Sequence, residues 1–391
     1  MGKKDKNLEI EEKVPESLAG DKEGAGITPT ATTSTGSATF SASELEEIDS
    51  QDNQSGASRL AMIAKFVRKL GVGADLTNSS IPGAFILPKS TLSYFAENYS
   101  NQFELLLKAN KLDDELERFL GVYKYLCTTC HEVEDVTRKP LNPVLGESYQ
   151  ARIENDESKN SYFFAEQISH HPPISCSTVY NKEAGVKVRY HQPVKSSFMG
   201  TYVKISMEGQ AKIFLEKHQE EYTCSLPYMA IRIFRSFSEY VGKTQMTSNK
   251  STYRIKTIFY PKPLLIGNYN CIESTVYRGK EKLYKIKGQW SGDLKITNLK
   301  TNETKPFFSN KQTKPTLVIP DELPSTDSSK VWKNVFVAAS SAQGKEVTKE
   351  KVKVEEEQRK LAAERKEKKE EWKPVHFYQV GDSWVLNEYK D

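Results

Sequence analysis

Three features of this 391-residue chain predict a mainly β protein with helices, built on one large antiparallel sheet closed into a barrel. Segments between 139 and 300 alternate apolar and polar residues with a period of two, and no helical stretch interrupts them. Tyr (19) and Phe (17) lift the aromatic share to 10%, which suits half-buried pleated surfaces. Helical spacing is confined to residues before 131 and after 346. A closed sheet of about nine or ten strands leaves an interior wider than side chains fill, so it can hold a ligand.

The elements follow in chain order. Residues 1–55 are polar and rich in Ser, Thr and Gly (ITPTATTSTGSATFSAS), too poor in apolar surface to offset their ordering entropy. They read as a disordered segment ahead of one domain over 56–391. In 58–70, Leu60, Ile63, Phe66, Val67 and Leu70 share a helical face among Arg59, Lys65, Arg68 and Lys69. Such a basic amphipathic helix either lies on an anionic membrane or packs on a core with its basic face solvated, and the pattern leaves both open. The stretch DLTNSSIPGAFIL (75–87) holds Leu76, Ile81, Phe85, Ile86 and Leu87, while Pro82-Gly83 keeps it irregular. A loop with that much apolar surface must cover something apolar. Helices are expected over 92–108 and 113–130. The second contains CTTCH (127–131), the pattern of c-type haem attachment. Leu116, Phe119, Leu120, Tyr123, Leu126 and Cys127 nevertheless share one helical face, so Cys127 and Cys130 read as packed thiols near a helix end.

Strands are expected at 148–153 and 161–165, a hairpin around NDESKN, then at 186–190, 201–207, 211–215, 221–226 and 252–260. Two more, 284–290 and 294–299, turn at Ser291-Gly292. Residues 301–330 read as loop and 332–339 as a short apolar element. A charged helix over 346–369 belongs to a helical region spanning 331–391.

Bulk properties narrow the function. A net charge of +4 gives no reason to invoke nucleic acid. No run of about 18 apolar residues spans a membrane, and five scattered cysteines without an apolar leader fit a reducing cytoplasm.

Three segments carry the chemistry. In RKPLNPVLGE (138–147), Lys139 and Asn142 each precede a proline, which holds both in extended geometry within a rigid turn. In EQISHHPPIS (166–175), His170 and His171 run into Pro172 and Pro173. Neighbouring strand residues face opposite sides, but prolines without an N–H should take the backbone out of its sheet and let both imidazoles reach one site. On the charged helix, Lys351, Glu355 and Arg359 stand at i, i+4 and i+8 and form a ridge. Alone, the histidine pair fits a metal, catalysis or an anion. Glu166 is close in sequence, but no His/Asp cluster accompanies it to complete a metal site.

KPLNPVLGE, EQISHHPPIS, GQWSG (288–292) and EEEQRKLAAERK (355–366), in this order, resemble the lipid-binding domain of the oxysterol-binding-protein-related lipid transfer proteins. The resemblance covers roughly 55–390. It implies a near-complete antiparallel barrel around an apolar tunnel, an N-terminal lid over 58–87, and exchange of one lipid against phosphatidylinositol 4-phosphate between membranes. The headgroup residues it implies are Lys139, Asn142, His170, His171, Lys351, Glu355 and Arg359, with Leu76, Ile81, Phe85, Ile86 and Leu87 covering the tunnel. GADLT, IPGAFIL, MEGQAKIFL, SLPY and AAERKEKKEEW look more like the phosphatidylserine-exchanging subgroup, with sterol as the alternative cargo. The remaining expectations are a cytoplasmic monomer touching anionic membranes transiently, with no catalytic residue, metal or cofactor. A lipid-sensing scaffold without transport and a phosphoinositide hydrolase are the rival classes.

Overall fold

Fifteen consecutive strands join in one antiparallel sheet, in a computed structural model that describes residues 59–64, 72–77, 81–154 and 159–387. The expectations for 1–55 and for Phe66, Val67 and Leu70 lie outside the described residues. Ahead of the large sheet, β1 (Ile86–Ser90) pairs in parallel with β2 (Lys139–Leu141). The sheet itself starts with β3 (Ser148–Glu154), β4 (Ser161–His170), β5 (Pro173–Asn181), β6 (Val186–Phe198) and β7 (Val203–Met207). It continues through β8 (Gln210–Leu215), β9 (Glu220–Ser225), β10 (Tyr228–Arg232), β11 (Phe237–Ser248) and β12 (Tyr253–Phe259). The last strands are β13 (Cys271–Arg278), β14 (Glu281–Gln289), β15 (Asp293–Asn298), β16 (Thr304–Ser309) and β17 (Thr316–Val318).

In space β16 to β11 follow one another, and β6, β5, β4, β3 and β17 form the opposite wall. The long strands β6 and β11 are bridged twice, through β8 and β9 at one end and through β7 and β10 at the other. β16 and β17 are not paired with each other, so the barrel is near-complete with one seam. Alternation is clear in β6, where Val186, Val188 and Tyr190 are buried and Lys187, Arg189 and His191 are half-buried on the other face.

Three helices pack inside: α1 (Thr91–Tyr99), α2 (Glu104–Ala109) and α3 (Glu115–Thr128). The single helix expected over 92–108 is thus two, broken where Gln102 takes φ 48°. Asp114 caps α3 by accepting from the Glu117 N–H at 2.8 Å. From α3, Tyr123 Oη reaches Ser274 Oγ (2.6 Å) and Thr257 Oγ1 (3.0 Å) on the wall. The Phe119 ring lies 6.0 Å from Tyr222 and 5.8 Å from Tyr253. Cys127 and Cys130 are buried free thiols, and burial pushes Cys127 up to about 12. The helices fill much of the lumen, so free space remains at the end walled by β7 and β10.

After the barrel come α4 (Ser328–Val331), α5 (Lys333–Ser340), α6 (Gly344–Glu367) and a hairpin of β18 (Phe377–Val380) with β19 (Ser383–Leu386). Two expectations are corrected here. The stretch 301–330 contains β16 and β17, edge strands whose exposed, Lys- and Pro-bearing sequence hides their pairing. Past 370 the chain forms a hairpin rather than helix. Its Phe377 and Leu386 pack on Phe164, Ile168, Cys176 and Tyr180 of β4 and β5. Those strands are therefore covered on both faces, which removes the alternation that would have marked β5 in the sequence.

The lid stretch meets α6 at Gly83, whose N–H donates to Thr348 Oγ1 at 2.9 Å. A Cβ there would stand 2.2 Å from the Gly344 carbonyl oxygen, a backbone atom with little freedom to yield. Gly83→Ala should therefore lower stability by about 1–3 kcal/mol in denaturant melts, as overpacking does. An unchanged midpoint would show that α6 and the lid base are not in this register.

Candidate functional site

A single buried carboxylate gathers the segments that build the site. Glu147 ends the turn 139–147, and its Oε2 accepts from the Val144 N–H (3.0 Å) and from Trp332 Nε1 (2.7 Å). Its Oε1 accepts from Ser90 Oγ (2.5 Å) and Ser328 Oγ (2.7 Å). Burial raises the Glu147 pKa, and these four donors work against that rise. The turn is also clamped to β4, by Gly146 N–H to Gln167 O and Gln167 N–H to Glu147 O, both 2.9 Å. Lys139 and Asn142 are thereby fixed beside the end of β4.

At that end His170 pairs with Pro173, and His171 occupies the tight turn, with a cis bond to Pro172. The sheet is left for the turn alone, and the two imidazole centroids lie 4.7 Å apart at 69°. His170 Nδ1 is 3.2 Å from the Pro143 carbonyl oxygen, so this nitrogen carries the proton and donates. From α6, Lys351 Nζ meets Glu355 Oε1 at 2.5 Å across one turn.

All seven residues singled out in the three motifs line one cavity of about 770 Å³. Gln358, Ala362, Arg365 and Trp372 line it too, and the sequence reading missed them. Lys351, Glu355, Gln358, Ala362 and Arg365 alternate steps of four and three, the spacing of a helix stripe, whereas the ridge was extended by fours alone. The Arg365 guanidinium carbon stands 5.5 Å from the Trp372 ring centre. Burial, then the Lys351 charge, push Lys139 down to about 8, with Glu355 opposing. Burial and the neighbouring His171 lower His170, with Pro143 and Glu355 opposing. Lys139, Lys351, Arg359 and Arg365 outnumber Glu355 and Glu371 around the cavity, which favours an anion.

A second cavity, apolar and about 290 Å³, lies against it and shares Ile81, Lys139, Asn142 and Pro173. Leu76, Ile81, Phe85 and Leu87 line it from the expected lid, and Ile63 adds to them from a helical segment, 59–64. Ile86 departs from the expectation: it faces the polar cavity and packs with Leu141 and Trp332. As the middle of three consecutive apolar residues entering a strand, it necessarily points away from Phe85 and Leu87. The lid stretch is tied down by Leu76 N–H to Ser196 O (2.8 Å) and Asn142 Nδ2 to Thr77 O (3.1 Å). Farther back, Arg59 pairs with Asp135 at 3.4 Å.

Glu166 does not join the histidines. Its two oxygens accept from the Val375 and His376 N–H groups at 2.8 Å each, holding the C-terminal hairpin. Among the described residues no three His, Cys, Asp or Glu side chains are placed to hold a metal ion, and no helix is long and apolar enough to cross a membrane.

Compared with known proteins, residues 62–343 match the family model described as oxysterol-binding protein. "Oxysterol-binding protein 1" of Dictyostelium discoideum is 54% identical over the full length of both chains. "Protein kes1" of Schizosaccharomyces pombe is 30% identical, covering 84% of this chain and 90% of its own. Two solved structures share the fold. The Osh1 ORD domain in complex with cholesterol gives a TM-score of 0.68 at 21% identity, over 82% of this chain and 85% of that one. The Osh3 ORD of Saccharomyces cerevisiae in complex with PI(4)P gives 0.65 at 20%, over 83% and 89%.

Lys139 holds a charge that its burial and the Lys351 charge disfavour. With a folded pKa near 8 against 10.5 in the unfolded chain, the penalty is complete below pH 8 and is relieved as pH rises between the two values. Lys139→Met should stabilise the empty protein by about 1–2 kcal/mol at pH 7, discounting for partial exposure. The gain should shrink as pH climbs through 9. Loss of stability at pH 7 would show that Lys139 is held by attraction instead.

Proposed function

The chain belongs to the oxysterol-binding protein family, and from that premise we infer that it carries lipids one at a time between membranes, exchanging phosphatidylinositol 4-phosphate for a second lipid. The observation that carries this reading is the shared wall of the two cavities. An anionic headgroup suits the cationic one, and the hydrocarbon behind it suits the apolar one. Arg359 can fork onto phosphate oxygens, Lys139 and Lys351 supply point charges, and the two imidazoles offer N–H donors. Asn142 and Glu355 can bond inositol hydroxyls, Glu355 while holding Lys351 in register. At about 0.8 kcal/mol per CH₂, a sixteen-carbon chain gains on the order of 13 kcal/mol from burial, and a carrier must match that for lipid to leave a bilayer. Leu76, Ile81, Phe85 and Leu87 act as the lid that completes this burial. Asn142 touches both the lid and the headgroup cavity, so occupancy and closure bear on one side chain.

Two readings of the second cargo rest on different observations. Phosphatidylserine is favoured by the segments GADLT, IPGAFIL, MEGQAKIFL and SLPY, which resemble that subgroup. Sterol is favoured by the deep lining of the apolar cavity, where Tyr94, Asn98, Tyr99 and Tyr240 offer uncharged polar atoms suited to one hydroxyl, and by the cholesterol and ergosterol complexes of the Osh1 domain. Mass spectrometry of lipids co-purifying with the protein separates them: phosphatidylserine, sterol, or neither.

His170→Ala with His171→Ala should abolish extraction of phosphatidylinositol 4-phosphate from liposomes while uptake of the second lipid persists. Equal loss of both would count against a dedicated headgroup site. Bound phosphate favours the protonated forms of His170 and Lys139, both lowered by burial and a neighbouring cationic group, so binding takes up protons. Headgroup affinity should therefore fall from pH 6 to 8.5, about the histidine range and the pKa of Lys139. A flat profile would remove these two groups from the phosphate contact.

A further inference from the structure

On the outer face of the barrel wall, β6 and β8 set two cations directly against each other. Arg189 and Lys212 are register partners in this antiparallel pair. Their chain neighbours Val188, Tyr190, Ala211 and Ile213 are buried on the inner side, so both side chains point outward. Like charges at opposed positions cost a sheet stability. His191, two residues along the same face, adds a third nitrogen-bearing group. The next cation along β6 is already matched, since Lys187 pairs with Glu216 at 2.6 Å. Lys212 Nζ instead donates to a neutral group, Ser383 Oγ, at 2.7 Å.

These groups line a cavity of about 530 Å³ between β6, β8 and the turn of the C-terminal hairpin. Its walls are well supported. The Arg189 guanidinium carbon stands 4.6 Å from the Phe214 ring centre, a stacking that fixes the guanidinium plane. Trp384 lines the cavity from the hairpin and packs on the cluster that anchors the hairpin to β4 and β5. At the β7–β8 turn, a Cβ on Gly209 would overlap the His191 carbonyl oxygen, so the turn lies hard against β6. Two carboxylates border the space. Glu208 is taken by Lys195 at 2.8 Å, and Asp382 is exposed at the hairpin turn. Burial lowers the His191 pKa, and an adjacent anion would act in the opposite sense. At the fork of the ladder, Met207 and Leu226 border both this cavity and the apolar one inside the wall.

We propose that this outer cavity binds a phosphate group, Arg189 forking onto its oxygens while Lys212 and His191 donate beside it. A phosphate on a soluble metabolite and one on a lipid headgroup share this chemistry, and the volume leaves room for the body that carries it. Arg189 and Lys212 disfavour a cation, and an uncharged ligand would leave their opposed charges unrelieved. The site stands apart from the carrier reading, because none of its charged residues lines the headgroup cavity.

The test follows the His191 ring by NMR in the full chain labelled at its histidine nitrogens, with the signal assigned by His191→Gln. The parent carries His170→Ala/His171→Ala, which separates the outer cavity from the candidate headgroup site. Inorganic phosphate should shift the His191 signal saturably, and sodium chloride at matched ionic strength should not. Arg189→Gln/Lys212→Gln should weaken that affinity about tenfold or more, as loss of two charge-assisted contacts does, and Lys212→Gln alone should show part of the loss. The His218 signal and the melting temperature should stay as in the parent. A response to phosphatidylcholine vesicles carrying phosphatidic acid, in place of inorganic phosphate, would assign the lipid source and keep the site. A His191 signal indifferent to both probes, shifted equally by chloride, or shifted equally in Arg189→Gln/Lys212→Gln would overturn it.

Discussion

The Glu147 carboxylate is the constraint on which the rest depends. Sealed from water, an ionised carboxylate without partners would cost several kcal/mol, so its position is tolerable only if donors converge on it. The converging donors come from four places in the chain: Ser90 at the start of α1, Val144 in the 139–147 turn, Ser328 in α4 and Trp332 at the start of α5. Satisfying one group thus fixes the lid base, the turn that carries Lys139 and Asn142, and the helices that lead into α6. The β4 end, with its histidines, is joined to the same turn through backbone hydrogen bonds. Side chains of the candidate site more than 200 residues apart in the chain line one cavity, on segments whose supports meet at this carboxylate.

The geometry that results sets a cationic cavity against an apolar one. The cavity against α6 has an excess of cations, and the cavity under the lid is lined mainly by hydrocarbon and tyrosine. Four residues border both, among them Lys139 and Asn142. Burial and the Lys351 charge disfavour the half-buried Lys139 ammonium, so an anion bound there would add stability that the fold itself does not supply. The forked ladder explains why the space is where it is. Helices α1 to α3 occupy the lumen enclosed by β8, β9 and their neighbours, and the second bridge between β6 and β11, through β7 and β10, encloses the remainder.

Much of this was legible in the sequence, and the failures have physical causes. The seven charged and polar site residues come together because prolines and helix spacing restrict local geometry strongly enough to read. β6 announced itself by alternation, whereas β13, which alternates too, was not among the expected strands. β5 did not, because the C-terminal hairpin buries its outer face, and nothing local to ISCSTVYN reveals a hairpin 200 residues away. β16 and β17 were hidden for the opposite reason: as edges they are exposed enough to look like loop. Ile86 was grouped with its neighbours as lid surface, but entry into β1 turned it to the opposite side. Glu147 could not be recognised as the hub, since a carboxylate at the end of a turn looks solvated until its partners are known.

The shared wall makes one demand that occupancy measurements test directly. Native mass spectrometry of the protein incubated with phosphatidylinositol 4-phosphate and the co-purifying second lipid counts ligands per chain. If the two cavities form one ligand space, each chain will carry one lipid or the other, and raising one will displace its competitor in proportion. A stable population holding both lipids at once would contradict the single shared space on which the proposed exchange rests.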